Sequence, residues 1–226
     1  MLADLRGILE GALLMFAALL PIVNPFGSTP VFLAMTADCS PELRARLAQR
    51  ISINSALLLL MSVFIGTYVL DFFGLSVPVV QVAGGLLVCA LGWRLLHQEN
   101  AVEYVSGGPP PTAEEMSSRA FYPLTLPLTV GPGTISVAIT IGANHSPDVR
   151  GMVTYGAGHI LASFAIALTI FLCFRFADRI LRLVGTTGTS VVLRLSAFIL
   201  LCIGVQIAWN GISALLTGLP LRAASG

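Results

Sequence analysis

Two short stretches carry the residue types that could bind a small polar solute inside an otherwise apolar chain. The first is Asn24-Pro25-Phe26-Gly27-Ser28-Thr29-Pro30, and the second is Gly131-Pro132-Gly133-Thr134. Proline has no backbone N–H and its ring clashes with the preceding turn. The carbonyls four residues before each proline therefore lose their helical partners and become free acceptors. Glycine then lets another backbone or a ligand approach, and a hydroxyl residue follows that is able to cap a new helix. On this reading the second half-helices begin near Ser28 or Thr29, and near Thr134 or Ser136. Their unpaired amides and positive dipole ends favour a carboxylate. Acceptors and donors side by side suit a small zwitterion, and Asn24 offers both in one carboxamide. The candidate substrate-binding residues are thus Asn24, Pro25, Gly27, Ser28 and Thr29, with Gly131, Pro132, Gly133 and Thr134. The competing interpretation is a pair of proline kinks satisfied by neighbouring Ser and Thr side chains.

Other polar groups are sparse. Asn54, Gln81, His159, Gln206 and Asn210 fall within or near apolar runs, where polar side chains usually face a bundle interior. His159 could titrate and couple transport to protons, or could simply bond a neighbouring hydroxyl. Asp71 sits at the end of an apolar run, and no acid lies in the middle of one. Proton coupling and a sodium site built from carbonyls both remain open. Catalysis finds no support: there is no paired carboxylate, no His/Cys ligand cluster, no nucleophile elbow and no lysine. Gly131-Pro132-Gly133 lacks the Lys-Ser/Thr pair of a phosphate loop. Cys39, Cys89, Cys173 and Cys202 show no metal-ligand spacing. Three lie in apolar runs and read as small buried residues, while Cys39 in a polar loop could react. The chain is expected to be no enzyme and to hold no metal or cofactor.

The elements that must position these residues follow from composition. The chain has 226 residues, 56% hydrophobic and 10% charged, with mean hydropathy +0.89. Soluble domains are nearer a quarter charged, so this is a multi-spanning membrane protein. Six spans are predicted, at 8–36, 51–70, 77–97, 120–142, 151–174 and 192–216. The first would exceed about 40 Å as one helix, against a hydrocarbon core of about 30 Å. A break at Asn24-Pro25 resolves the excess. Asp4 and Glu10 flank the first run and no small-residue cleavage site follows, which argues for a retained span rather than a secretory signal. Residues 98–119, centred on Gly107-Gly108-Pro109-Pro110-Pro111, read as a cytoplasmic linker between halves 1–97 and 120–226. Nine of the twelve arginines fall on one side of this topology and three (Arg6, Arg150 and Arg222) on the other. The richer side belongs in the cytoplasm, which puts both termini in the periplasm. No basic run suggests nucleic acid.

The two halves also match weakly. Pro25 aligns with Pro132, and Gly84-Gly85-Leu86-Leu87-Val88-Cys89-Ala90-Leu91-Gly92 with Ser196-Ala197-Phe198-Ile199-Leu200-Leu201-Cys202-Ile203-Gly204. Three spans per half force the second to enter from the opposite face. The expected fold is therefore an all-α integral membrane protein of six transmembrane helices, arranged as two inverted three-helix repeats. Helices 1 and 4 are broken near mid-membrane, the pattern of secondary transporters. An old duplication with helices kinked only for packing is the alternative.

Asn24-Pro25-Phe26-Gly27-Ser28-Thr29-Pro30-Val31-Phe32 resembles the Asn-Pro-x-Gly-x-x-Pro-x-Phe signature of the MarC family. Pro127-Leu128-Thr129-Val130-Gly131-Pro132-Gly133 is similar to that family's Pro-x-x-x-Gly-Pro-Gly signature. Gly84-Gly85-Leu86-Leu87 and Gln206…Asn210-Gly211-Ile212 fall where the family carries similar elements. The resemblance implies a multi-pass bacterial inner-membrane protein in contact with the lipid bilayer. Its SnatA-like members are associated with small neutral amino acids, and export is the direction it suggests. The expected function is alternating-access transport of such a solute, with sodium or proton coupling undecided. A non-transporting scaffold or regulatory subunit is the alternative, and a membrane thiol or redox protein is a further one.

Overall fold

A computed structural model describes residues 2–37, 39–97, 120–126, 128–143 and 149–217; the expected linker 98–119 lies outside them. The described residues form helices and no strand. In chain order these are α1 (Leu2–Val23), α2 (Pro25–Met35), α3 (Pro41–Phe72), α4 (Val77–His97) and a π-helical turn α5 (Ala120–Thr125). There follow α6 (Pro132–Ala143), α7 (Val149–Arg175) and α8 (Ala177–Thr217), which bends at Gly185. Five stretches are long and apolar enough to cross a membrane: Asp4–Val23, Pro41–Phe72, Val77–His97, Gly151–Arg175 and Gly188–Thr217. Two of the predicted spans take other forms. The first breaks at Asn24, but α1 already has the length of a whole span before the break. The predicted fourth span divides into α5 and the twelve-residue α6, because Pro123, Pro127 and Pro132 each withhold an amide from any continuous helix.

Local chemistry explains the helix ends. Ser40 caps α3, its hydroxyl accepting from the Leu43 amide at 3.2 Å, with Pro41 in the first helical position. Arg44 on that first turn reaches two other elements. Its Nη1 pairs with Asp178 Oδ2 of α8 at 2.7 Å, and its Nη2 donates to the Thr36 carbonyl beyond α2 at 2.9 Å.

The core lies where α1, α2, α3 and α7 meet. Met15, Leu19, Phe32, Ile51, Leu59, Ile166, Ile170 and Phe174 are buried there, and the rings of Phe32 and Phe174 stack at 4.4 Å. The helices touch through small residues. Gly11 of α1 faces Tyr155 of α7, and Gly158 lies against Ile8 and Ala12. A second seam joins α4 to α8, antiparallel. Gly85 lies against Gly204 and Ala208, Gly92 against Ala197 and Leu201, and Gly211 against Pro78 and Val82. The Cys89 thiol points at the Leu201 carbonyl from 3.7 Å. The outward faces stay apolar, with Leu14, Tyr68, Phe72, Trp93 and Trp209 exposed. In water this would be a severe penalty; in hydrocarbon it carries none.

Candidate functional site

The first break is made by one residue. Asn24 adopts the left-handed conformation at φ 45° and ψ 57°, which asparagine tolerates better than most residues. Its amide still completes α1 by donating to the Leu20 carbonyl at 2.9 Å. Its side-chain Oδ1 accepts from the Gly27 amide at 3.1 Å, and its carbonyl accepts from the Ser28 amide at 3.0 Å. Asn24 is thus the N-cap of α2, with Pro25 at the first helical position. Gly27 is needed for this arrangement, since a Cβ there would overlap the Asn24 carboxamide.

The second break is spread over ten residues. Leu126 donates to Phe121, Leu128 to Pro123 and Val130 to Thr125, each amide reaching five residues back. Two threonine hydroxyls do the same: Thr125 Oγ1 donates to the Ala120 carbonyl at 2.6 Å and Thr129 Oγ1 to the Leu124 carbonyl at 2.7 Å. The wide turns absorb the missing proline donors. Gly131 follows, its carbonyl accepting from the Ile135 amide at 3.1 Å, and α6 starts at Pro132. Gly133 presses against α4, where a Cβ would overlap Val88 and lie 3.2 Å from the Gly84 carbonyl. Ser136 Oγ donates to the Val80 carbonyl at 2.9 Å, and Gln81 Nε2 to Thr140 Oγ1 at 3.2 Å.

These details correct the expected starts of the second half-helices. They begin at Pro25 and Pro132, not near Ser28 or Thr29 and Thr134 or Ser136. Proline preset for the first turn outweighs the hydroxyls, which turn to other work. Thr29 Oγ1 donates to its own helix at the Pro25 carbonyl, 2.7 Å away. Some of the amides expected to be free at α2 are taken by Asn24.

The two breaks meet. Ser28 Oγ donates to the Leu128 carbonyl at 3.3 Å, across one hundred residues of chain. Leu128 stands four residues before Pro132, which has no N–H to offer that carbonyl. Thr29, Gly133 and Thr134 are buried, and Asn24 and Gly131 are half-buried. Pro25 is buried and Pro132 exposed. His159 lies on a different element from either break. It is buried in α7 next to Gly158, which packs on Ile8 and Ala12. From Ala12 to Asn24 is roughly 18 Å along a helix.

Other expectations fared unevenly. Gln81 joins α4 to α6, and Asp71 is exposed at the end of α3. Gln206 and Asn210 do not face the interior: both are exposed on α8 and bond each other at 2.8 Å. Cys202 is exposed as well, while Cys173 is buried. The sequence reading missed Thr125 and Thr129. Their signal was available, since hydroxyl residues beside prolines in apolar helices often re-satisfy freed carbonyls.

Comparison with known proteins agrees with the two signatures. A profile of "MarC family integral membrane protein" matches residues 9–216. The UPF0056 inner membrane protein MarC of Salmonella typhimurium is 32% identical over 200 residues, covering 86% of this chain and 90% of the relative. That of Escherichia coli O6:H1 is 32% identical over 203 residues with the same coverage, and that of Salmonella paratyphi A 31% over 200. No solved structure matches the chain. With its signatures, its five span-length apolar helices and these relatives, the chain belongs to the MarC family of integral membrane proteins of the inner membrane.

Proposed function

We propose that the chain is a secondary transporter for small neutral amino acids or similar solutes, without enzymatic activity, and that the meeting of its two breaks is the solute site. The observation that carries the reading is the Ser28–Leu128 hydrogen bond. It joins breaks one hundred residues apart in sequence, as a site built from both requires. The Leu128 carbonyl suits an ammonium group, which would take the place of the Ser28 hydroxyl. The start of α6 and the Asn24 carboxamide would receive the carboxylate. Inward and outward rocking of 1–97 against 120–226 would alternate access to it.

The seam between α4 and α8 supports the inverted repeat of six spans. When Gly84–Gly92 is set against Ser196–Gly204, Gly85 corresponds to Ala197, Cys89 to Leu201 and Gly92 to Gly204. Gly85 touches Gly204, Gly92 touches Ala197, and Cys89 touches Leu201. The contact of Gly85 with Gly204 is repeated by that of their counterparts, Ala197 with Gly92, and Cys89 meets its own counterpart, as contacts across a local two-fold axis do. The arginine asymmetry sets the arginine-rich side in the cytoplasm and both termini in the periplasm. His159, one helix length away, would act on protons only indirectly.

A scaffold reading is favoured by one observation: the hydroxyls of Ser28, Thr29, Thr125 and Thr129 are all engaged within the protein. Flux of labelled glycine and alanine into proteoliposomes, then of a wider panel of small solutes, separates the two. Solute-dependent flux supports the transporter; a chain that moves none of them is a scaffold.

A further inference from the structure

The face between α3 and α7, away from the breaks, carries a groove of about 580 Å³. Its floor is made of the small buried residues Ser52, Ala56 and Ala167, and its walls of larger exposed ones such as Leu57, Phe164 and Leu168. Gln49 closes one end and Leu60 lies near the other. Eleven residues of helix separate these two, about 17 Å, which is close to half a hydrocarbon core of about 30 Å. The groove is therefore one leaflet deep, the reach of a single acyl chain.

Its Gln49 end is cationic. Arg46 precedes Gln49 by three residues and Ile53 by seven, so it continues the same strip of α3. Arg175 follows Phe171 by four and Leu168 by seven, and continues the strip on α7. Both arginines are exposed, each at the same end of its strip, and each acts on the Glu42 carboxylate, behind that carboxylate's hydrogen bonds to its own backbone and to Ser40. Arg50 is exposed one turn further along α3. Glu42 offsets one of these charges and leaves the mouth net positive. Gln49, exposed between them, adds donors for ester or phosphate oxygens.

We propose that this groove binds one anionic phospholipid from the leaflet on the arginine-rich side, with an acyl chain along Ala56 and Ala167 and its phosphate between Arg46 and Arg175. A zwitterionic lipid would fill the groove equally well but would bring its own cation to the mouth. The site thus selects by headgroup, as basic pockets between transmembrane helices do.

Native mass spectrometry of the delipidated protein, titrated with dioleoyl phosphatidylglycerol or dioleoyl phosphatidylcholine, tests this. The first phosphatidylglycerol should bind on the order of tenfold more tightly. Arg46→Gln with Arg175→Gln should bring it to the phosphatidylcholine level with no change in thermal unfolding, since both side chains are exposed. Ala56→Phe should weaken both lipids by filling the floor. Equal affinities in the unaltered protein overturn the proposal, as does a preference that survives loss of both arginines. A dimer that Ala56→Phe dissolves, with no lipid preference, would assign the groove to a second copy and overturn it as well.

Discussion

The two breaks answer one physical problem in opposite ways. Proline takes a donor out of an apolar helix, and the remaining groups must be satisfied within a few residues. At the first break a single asparagine does this, turning the chain through a left-handed conformation and capping the next helix with its own carboxamide. At the second, the chain widens into turns that bond five residues back, helped by two threonine hydroxyls, before a new helix starts at Pro132. The compact break depends on one side chain, and the extended break on many small contributions plus close contact with α4. The first should therefore be sensitive to loss of that side chain, and the second tolerant of losing any one hydroxyl but not of losing its fit against α4.

That contrast can be broken experimentally, most severely where the extended break touches α4. Gly133→Val should abolish flux and lower thermal stability, because its side chain would occupy the space of Val88. Overpacking of this kind costs about 1–3 kcal/mol. Adding Val88→Ala should return much of the stability, and normal flux in Gly133→Val alone would show that the close approach is dispensable. Next comes Asn24→Ala, which removes the cap and forces alanine into the left-handed region. About 2 kcal/mol of stability should be lost. Asn24→Gly accepts the backbone conformation and should regain part of that stability. Flux that returns with glycine would assign Asn24 a purely structural role, and flux that stays absent would assign the carboxamide to the solute.

Ser28→Ala should cost about 1 kcal/mol by leaving the Leu128 carbonyl unpaired. It should also alter the apparent affinity for solute more than the maximal rate, as measured by concentration-dependent flux. The smallest effect is expected at Thr129→Val, roughly 0.5–1 kcal/mol in chemical unfolding, with flux nearly unchanged. If Thr129→Val proves as damaging as Asn24→Ala, the division between a concentrated and a distributed break is wrong.

Proline chemistry makes the breaks legible in the sequence alone. The donor it lacks is a local property, so Pro25 and Pro132 could be read as stops and the carbonyl four residues back as released. What took that carbonyl was not legible, because Ser28 reaches Leu128 only through the packing of separate helices. The helix starts were misplaced for a related reason. Ser28, Thr29 and Thr134 were good capping residues on paper, but proline with Asn24 before it set the first start earlier. Gln206 and Asn210 show a different limit. Their polarity pointed inward, yet in an i,i+4 pair on α8 each supplies a partner for the other. The predicted fourth span was read as broken at Pro132, but that its first segment is a π-helical turn rather than a half-helix was not legible from that proline alone.

The glycine seam between α4 and α8 has a mechanical consequence. Where Gly85, Gly92, Gly204 and Gly211 bring main chain against main chain, few side-chain atoms lie between, Cys89 Sγ and Val82 Cγ2 among them. Advancing either helix by one turn would drive a larger residue into a slot sized for hydrogen. The pair is a pivot that resists sliding, and tilting about it is the freedom that remains.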